Sequence, residues 1–302
     1  MLKLKISVIG CGFVGKAIIN GFNKKLCDIT PIDIKYDTTV EDTNPYDDIF
    51  FICLPTPMNN DGSINAELVI ETVKWLKLNR AGHIVIKSTV TPDIIDKLSG
   101  DRVVYNPEFL NEKSADEDFI NPPMHIFGGH IKDTNNIEKI YKKYSKCKPC
   151  PCHHVSLKEA SFIKYGINCF LATKVLWFNQ FYDIIQKHDC NFDEITYAMR
   201  SDPRIGNSHT SVPGFDGKMG FGGACSPKDT SAFLDYAISF SLLDEVIKSN
   251  NKIIPCSIND FKLPEKRPKD VSLSNSLLKK KLRYKLIEIK DIIKKLYNKK
   301  NN

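Results

Sequence analysis

Ile6-Ser7-Val8-Ile9-Gly10-Cys11-Gly12-Phe13-Val14-Gly15 is a short β-prone run that ends in three glycines spaced G-x-G-x-x-G. The run predicts a strand over Lys5–Ile9 and a helix over 16–25. Gly10 permits a tight turn between them. Gly12 lets a phosphate approach the backbone where a Cβ would obstruct it, and Gly15 lets the helix pack closely on the strand. A helix start also offers unpaired amides and partial positive charge to an anion. Asp33 lies 23 residues beyond Gly10, at the end of a second predicted strand, Ile29–Ile34, where an acid accepts hydrogen bonds from a ribose and repels a 2′-phosphate. Asp37 competes for that role. The pattern predicts a dinucleotide site made by Gly10, Gly12, Phe13, Val14, Gly15 and Asp33, with NAD preferred over NADP.

Outward from this turn, apolar strand-like runs recur at Ile49–Leu54, His83–Lys87, Arg102–Tyr105 and His125–Phe127, with a helical pattern at Ala66–Leu78. Strands that alternate with helices and stay apolar throughout fit a parallel sheet covered on both faces. After about residue 155 the texture becomes helical, at Leu157–Lys187, Phe192–Met199 and Asp229–Ser249, with a glycine-rich loop at Gly214–Gly223. We therefore expect an α/β fold: a Rossmann-type doubly wound parallel sheet over 1–154 and an α-helical central domain over 155–255. A linker and a basic amphipathic helix, Ser276–Tyr297, fill 256–302.

Composition narrows the function. The formal charge is +7, but Lys262–Asn302 holds 14 Lys and Arg against 4 Asp and Glu, so the preceding 261 residues carry −3. A body of that charge argues against nucleic acid. No apolar run approaches the roughly 20 residues of a membrane span, and the N-terminus does not read as a signal peptide. The ten cysteines are scattered through a long chain, which fits reduced thiols and a cytoplasmic location.

Further blocks carry candidate chemistry. They are Leu54-Pro55-Thr56-Pro57-Met58, Lys87-Ser88-Thr89-Val90, Asn106-Pro107-Glu108-Phe109-Leu110-Asn111-Glu112, Lys164-Tyr165-Gly166-Ile167-Asn168, Asp202-Pro203-Arg204-Ile205-Gly206 and Gly220-Phe221-Gly222-Gly223-Ala224-Cys225-Ser226-Pro227-Lys228-Asp229. A thiol in a glycine-rich loop beside a lysine is a candidate nucleophile, because a nearby cation favours the thiolate. Lys164 and Asn168, four apart on a predicted helix, face one side and could polarise an oxygen. Glu108 and Glu112 follow a strand, where α/β sheets bind ligands.

In this order the blocks resemble the UDP-glucose/GDP-mannose dehydrogenase family over roughly residues 5–250. The resemblance implies NAD-dependent oxidation of a sugar C6 alcohol to a carboxylate in two hydride transfers, with the aldehyde captured as a thiohemiacetal and then oxidised to a thioester. It implies Cys225 as nucleophile, Lys164 and Asn168 as oxyanion stabilisers, and Asp229 as a base or water holder. Glu108 would be the acid/base of hydrolysis, with Thr89 ordering the water. Pro55, Thr56, Ser88, Thr89, Glu112 and Lys228 are expected near NAD. Glu108, Phe109, Leu110, Lys164, Asn168, Phe221 and Gly222 are expected along the nucleotide sugar, and Arg204 at a partner subunit's substrate. A homodimer through the helix at 157–187 is implied too.

The match has departures. There is no room for the family's second dinucleotide-type domain, so the chain resembles shortened members. Ser161 stands where a Glu is usual and Ser226 where an aromatic is usual. Cys147-Lys148-Pro149-Cys150-Pro151-Cys152-His153-His154 has the composition of a zinc ligand set, but structural zinc sites pair two such clusters, so no metal is expected. UDP-glucose is the leading substrate. GDP-mannose, a UDP-N-acetylhexosamine, or a non-catalytic NAD-binding role are the alternatives.

Overall fold

The computed structural model describes residues 2–253, apart from Phe215, Ala224, Cys225 and Ile238. The expected basic helix at 276–297 lies outside the described residues, as does Cys225.

Seven strands form one sheet: β1 (Leu4–Ile9), β2 (Cys27–Ile32), β3 (Ile49–Ile52), β4 (His83–Ile86), β5 (Val103–Tyr105), β6 (His125–Gly129) and β7 (Cys152–Val155). Their order is β2-β1-β3-β4-β5-β6-β7. The chain runs from β1 to one side for β2 and returns to the other side for β3. The glycine turn therefore opens at a topological switch point, where such sheets bind ligands.

The strands' apolar residues alternate between two cores. Phe50, Ile52, Ile84, Ile86, Val103, Tyr105 and Ile126 face one side. Ile49, Phe51, Val85, Val104 and Phe127 face the other. The second side is covered by α1 (Phe13–Gly21), α4 (Ala115–Ile120) and α5 (Ile131–Tyr144). The first is covered by α2 (Glu67–Asn79), α3 (Pro92–Lys97) and the start of α6 (Leu157–Lys187). Helices α7 (Phe192–Arg200), α8 (Ser226–Tyr236) and α9 (Ser241–Asn251) follow, and Ala232, Phe233 and Leu243 of the last two extend that same core.

The expected architecture holds, a mostly parallel Rossmann-type sheet followed by helices, with three refinements. β6 pairs antiparallel to β5, with Tyr105 opposite Gly128, and β7 pairs parallel to β6. The connection from β5 to β6 consequently stays at the carboxyl edge of the sheet, where it carries Glu108 to Leu110, instead of crossing back. Helix α1 starts at Phe13, not 16, because Gly12 is its N-cap. It stops at Gly21, where an added Cβ would strike the Phe119 ring. The predicted helix at 229–249 is two helices, turning between Tyr236 and Ser241. Helix α6 runs unbroken through Gly166 and is started by a capping box, in which Ser156 Oγ accepts Glu159 N–H and Glu159 Oε2 accepts Ser156 N–H.

Candidate active site

The carboxyl ends of β1, β3, β4 and β5 place four loops side by side. At β1 the glycine turn is built as its spacing demands. Gly10 has φ +87°, and a Cβ there would lie 2.6 Å from Cys53 O. A Cβ on Gly15 would collide with Gly10 O. On Gly12, by contrast, a Cβ would meet no protein atom within 4 Å, so no packing demands glycine there. What a Cβ would fill is the approach to the helix start. The first turn of α1 holds no acidic residue, and its leading amides have no carbonyl behind them. Phe13 and Val14 are half-buried on this turn.

Asp33 joins the turn directly. Its Oδ2 accepts the Cys11 N–H at 2.6 Å and its Oδ1 the Lys35 N–H at 3.0 Å. The Cys11 amide, with that of Lys35, holds the carboxyl below the usual aspartate range, so it stays an acceptor. Asp37 is exposed at φ 56° beyond a short 3-10 turn. Between the two candidates, the acid tied to the glycine turn is Asp33. Glycine cradle, helix start and acid together fit a dinucleotide.

Two hydroxyls tie the neighbouring loops together. Ser88 Oγ donates to Leu54 O at 2.7 Å, and Thr56 Oγ1 to Thr89 O at 3.0 Å. Pro55 is exposed beside them. Thr89 does not cap the next helix, whose N-cap is Thr91. Ser161 is buried and donates to Val90 O at 2.7 Å, which fastens α6 to the same loop.

Two polar pairs lie where α6 meets these loops. Lys164, 3% exposed, donates to Glu108 O at 2.6 Å and lies 3.4 Å from Glu108 Oε1. Glu108 Oε2 accepts the Leu110 N–H at 2.6 Å, and the Lys164 ammonium stands 5.0 Å from the Phe109 ring centre. One turn along α6, Asn168 donates to Asp229 Oδ2 at 2.7 Å. Asp229, in the first turn of α8, also accepts from Lys228 at 2.5 Å, and Lys228 lies 3.5 Å from Thr56 Oγ1. Residues from α6, α8 and the loops after β3 and β5 are thus linked in two short chains. Cys225, one residue ahead of α8 in the chain, lies outside the described residues.

Other expected residues stand elsewhere. Glu112 is exposed on the 3-10 turn Glu112–Ser114. Arg204 is 86% exposed and bonds to Asp202, apart from the two chains above. Gly222 is exposed, but Phe221 is buried against Ala172, Leu176 and Val246. Asn250 pairs with both the N–H and the C=O of Phe221, and Asn179 of α6 accepts the Gly220 N–H at 2.8 Å. These amides clamp the loop, and nothing in a single exposed-looking Asn advertises that role.

Lys87 and Asn106 also escaped the reading of site residues. Lys87 Nζ donates to Asn106 Oδ1 at 2.8 Å, as does the Tyr141 hydroxyl, while Asn106 Nδ2 donates to Ile126 O. Burial pushes the Lys87 ammonium down to about 8 and His125 down to about 4. The signal available was a lysine closing an apolar strand. In the Cys147–His154 segment, Cys147 bonds to Phe119 O and His154 to Glu138 and Thr134. Among the described residues no three His, Cys, Asp or Glu side chains are gathered as a metal requires.

Comparison with known proteins decides the family. Residues 34–145 match the model of the UDP-glucose/GDP-mannose dehydrogenase family, NAD binding domain, and residues 158–252 match that of the same family's central domain. The chain belongs to the UDP-glucose/GDP-mannose dehydrogenase family. The UDP-glucose 6-dehydrogenase YwqF of Bacillus subtilis is 32% identical over 236 residues, covering 72% of this chain and 52% of that one. TuaD of the same organism, also a UDP-glucose 6-dehydrogenase, is 33% identical, covering 68% of this chain and 46% of its own. The chain therefore spans about half the length of these curated relatives. A solved UDP-glucose dehydrogenase from Pyrobaculum islandicum shares the fold, with a TM-score of 0.71 at 24% identity, over 83% of this chain and 68% of that one. Residues 34–145 thus belong to the family's NAD-binding domain.

Proposed function

We propose that this chain is an NAD-dependent nucleotide-sugar dehydrogenase that oxidises UDP-glucose to UDP-glucuronate. The observation that carries the reading is the convergence of Lys164–Glu108 and Asn168–Asp229 on one face of α6, beside the loops that flank the glycine turn. On this reading residues 1–154 bind the dinucleotide and 155–255 complete the sugar site.

Gly10, Gly12, Phe13, Val14, Gly15 and Asp33 would hold NAD, which would supply the hydride acceptor, one molecule for each of the two oxidations. The chain's own groups do the rest. Of three Lys164 N–H donors, one is committed to Glu108 O, one leans toward its carboxylate, and one is left for an oxyanion at the reacting carbon. Asn168 keeps its second N–H for the same oxygen. Asp229, fixed by Asn168 and Lys228, takes the proton of the sugar alcohol as the first hydride leaves C6 and the aldehyde forms. The Cys225 thiolate adds to the aldehyde carbon and forms a C–S bond. Loss of a second hydride leaves a thioester, and water, guided by Thr89 and deprotonated by Glu108, displaces the thiol. One alcohol and one water thus yield one carboxylate, with two hydrides removed.

We further propose a cytoplasmic homodimer in which the exposed Phe162, Phe170, Trp177 and Ile184, seven or eight apart on α6, meet their copies. No described helix is long and apolar enough to cross a membrane.

The test is NADH formation with NAD and UDP-glucose, GDP-mannose or UDP-N-acetylhexosamines. Two NADH per carboxylate with UDP-glucose is expected, and Cys225→Ala should release no acid. Acid release at the wild-type rate by that variant refutes the covalent route. Preference for another sugar reassigns the substrate, and no turnover with any favours an NAD-binding role without catalysis.

A further inference from the structure

The adenosine end of the cofactor site carries more positive charge than its glycine turn requires. A carboxylate at the end of the second strand selects NAD in two ways: it accepts ribose hydroxyls, and it repels the 2′-phosphate of NADP. In this chain both functions of Asp33 are diluted. Its Oδ2 is engaged by the Cys11 N–H and its Oδ1 by the Lys35 N–H, so each oxygen has one acceptor position left. The Lys35 ammonium lies 3.7 Å from Asp33 Oδ2 and donates to Cys11 O at 2.5 Å.

Lys35 is partly exposed but not loose. The carbonyl of the glycine turn, the carboxylate and the Tyr36 ring, 4.9 Å from the ammonium, restrain it from three sides. Seen from solvent, Asp33 and Lys35 make a dipole, not a bare negative charge. Lys16, exposed on the first turn of α1, adds a second cation whose field reaches Cys11. Besides Asp33, the opposing charge in this stretch is Asp37, which is exposed.

We propose that this site also binds dinucleotides carrying a 2′-phosphate, NADP beside NAD, and that Lys35 is the residue that sets the ratio. A phosphate monoester brings a charge of about −1.5 to −2 at neutral pH. One ammonium about 5 Å from it, in a water-like dielectric, changes its affinity by about tenfold. The Asp33 carboxylate opposes by a similar factor, so the two nearly cancel. NAD has no charge at that position and is indifferent to Lys35 beyond the tie to Cys11.

Calorimetric titration of the full chain with NAD and with NADP, without sugar, reads binding and not turnover. Wild type is expected to bind NADP within tenfold of NAD. Lys35→Met should weaken NADP about tenfold and NAD less than threefold. Asp33→Asn, with Lys35 kept, should bring NADP level with NAD or above it. Added salt should shrink the effect of Lys35→Met on NADP. Thermal melts of both variants guard against misfolding. NADP more than tenfold weaker than NAD in wild type overturns the proposal. So does an equal loss of both ligands in Lys35→Met, which would make Lys35 only a tie on the turn. Absence of NAD binding would overturn the cofactor assignment itself, a different outcome from NAD binding without NADP.

Discussion

Replacing Gly12 and Gly15 by alanine, one at a time, should separate cofactor binding from stability. A methyl on Gly15 would collide with Gly10 O and lie 3.3 Å from Val8 Cγ1. Gly10 cannot yield, because its own φ is +87° and Cys53 O closes the space behind it. Helix α1 must therefore retreat from β1, an overpacking cost of about 1–3 kcal/mol. A methyl on Gly12 meets no protein atom, and its φ of −66° suits any residue. Losing glycine at that N-cap costs about 0.5–1 kcal/mol, and a stiffer unfolded chain returns about 0.4–1 kcal/mol. The net change should be within about 0.5 kcal/mol. Yet that methyl stands on the approach to the helix start, so NAD affinity should fall by about tenfold or more. Urea unfolding followed by Trp75 and Trp177 fluorescence, with NAD titrations on the same variants, measures both quantities. Gly12→Ala binding NAD within threefold of wild type would refute the reasoning, as would Gly15→Ala matching wild-type stability.

Lys164→Met should lower kcat by about 10²–10³ while leaving NAD affinity unchanged, since it removes the proposed oxyanion donor and no group of the glycine turn; steady-state kinetics with titration of NAD checks both. Lys87→Met should stabilise the protein at pH 7. Burial holds the Lys87 ammonium at about 8 in the folded protein, below the ordinary lysine value of 10.5, so the unfolded chain binds more protons between those limits and stability rises with pH across them. Below pH 8 the full cost, about 3 kcal/mol, is present. The variant should recover about 1–3 kcal/mol at pH 7 after losing the bond to Asn106, and urea midpoints from pH 7 to 10 should flatten. Phe170→Glu with Trp177→Glu should convert the proposed dimer to monomers in analytical ultracentrifugation, and an unchanged sedimentation coefficient would remove α6 as the interface.

The parts legible in the sequence are those where one local rule decides. The glycine turn, the apolar runs of β3 and β4, and the i, i+4 pairing of Lys164 with Asn168 each follow from short-range spacing. The parts that escaped depend on partners far along the chain. β7, built on Cys152–Val155, has a composition that suggests ligands more than a strand, and it forms by pairing with β6. The seating of α6 on β6 depends on Gly128, where a Cβ would stand 2.6 Å from that of Ala160, so the strand and α6 can meet only without one. Phe221 in a glycine-rich loop reads as a ligand contact, but Asn250, 29 residues on, draws its backbone into the core. Asn106 reads as the start of a loop, yet two side chains and one carbonyl meet at its amide.

Helix α6 also acts as a measuring rod. Lys164 near one end and Asn179, which grips the start of the glycine-rich loop, are fixed on one uninterrupted stretch of backbone. At 1.5 Å per residue they are about 22 Å apart, a distance no side-chain rearrangement can alter. A tilt of α6 by a few degrees would move the two ends by about an ångström relative to the sheet, as a lever does. The Lys164–Glu108 pair of the proposed sugar site and the clamp on Gly220 are thereby set by one rigid body, and a mutation that bends α6 between them should disturb both ends at once.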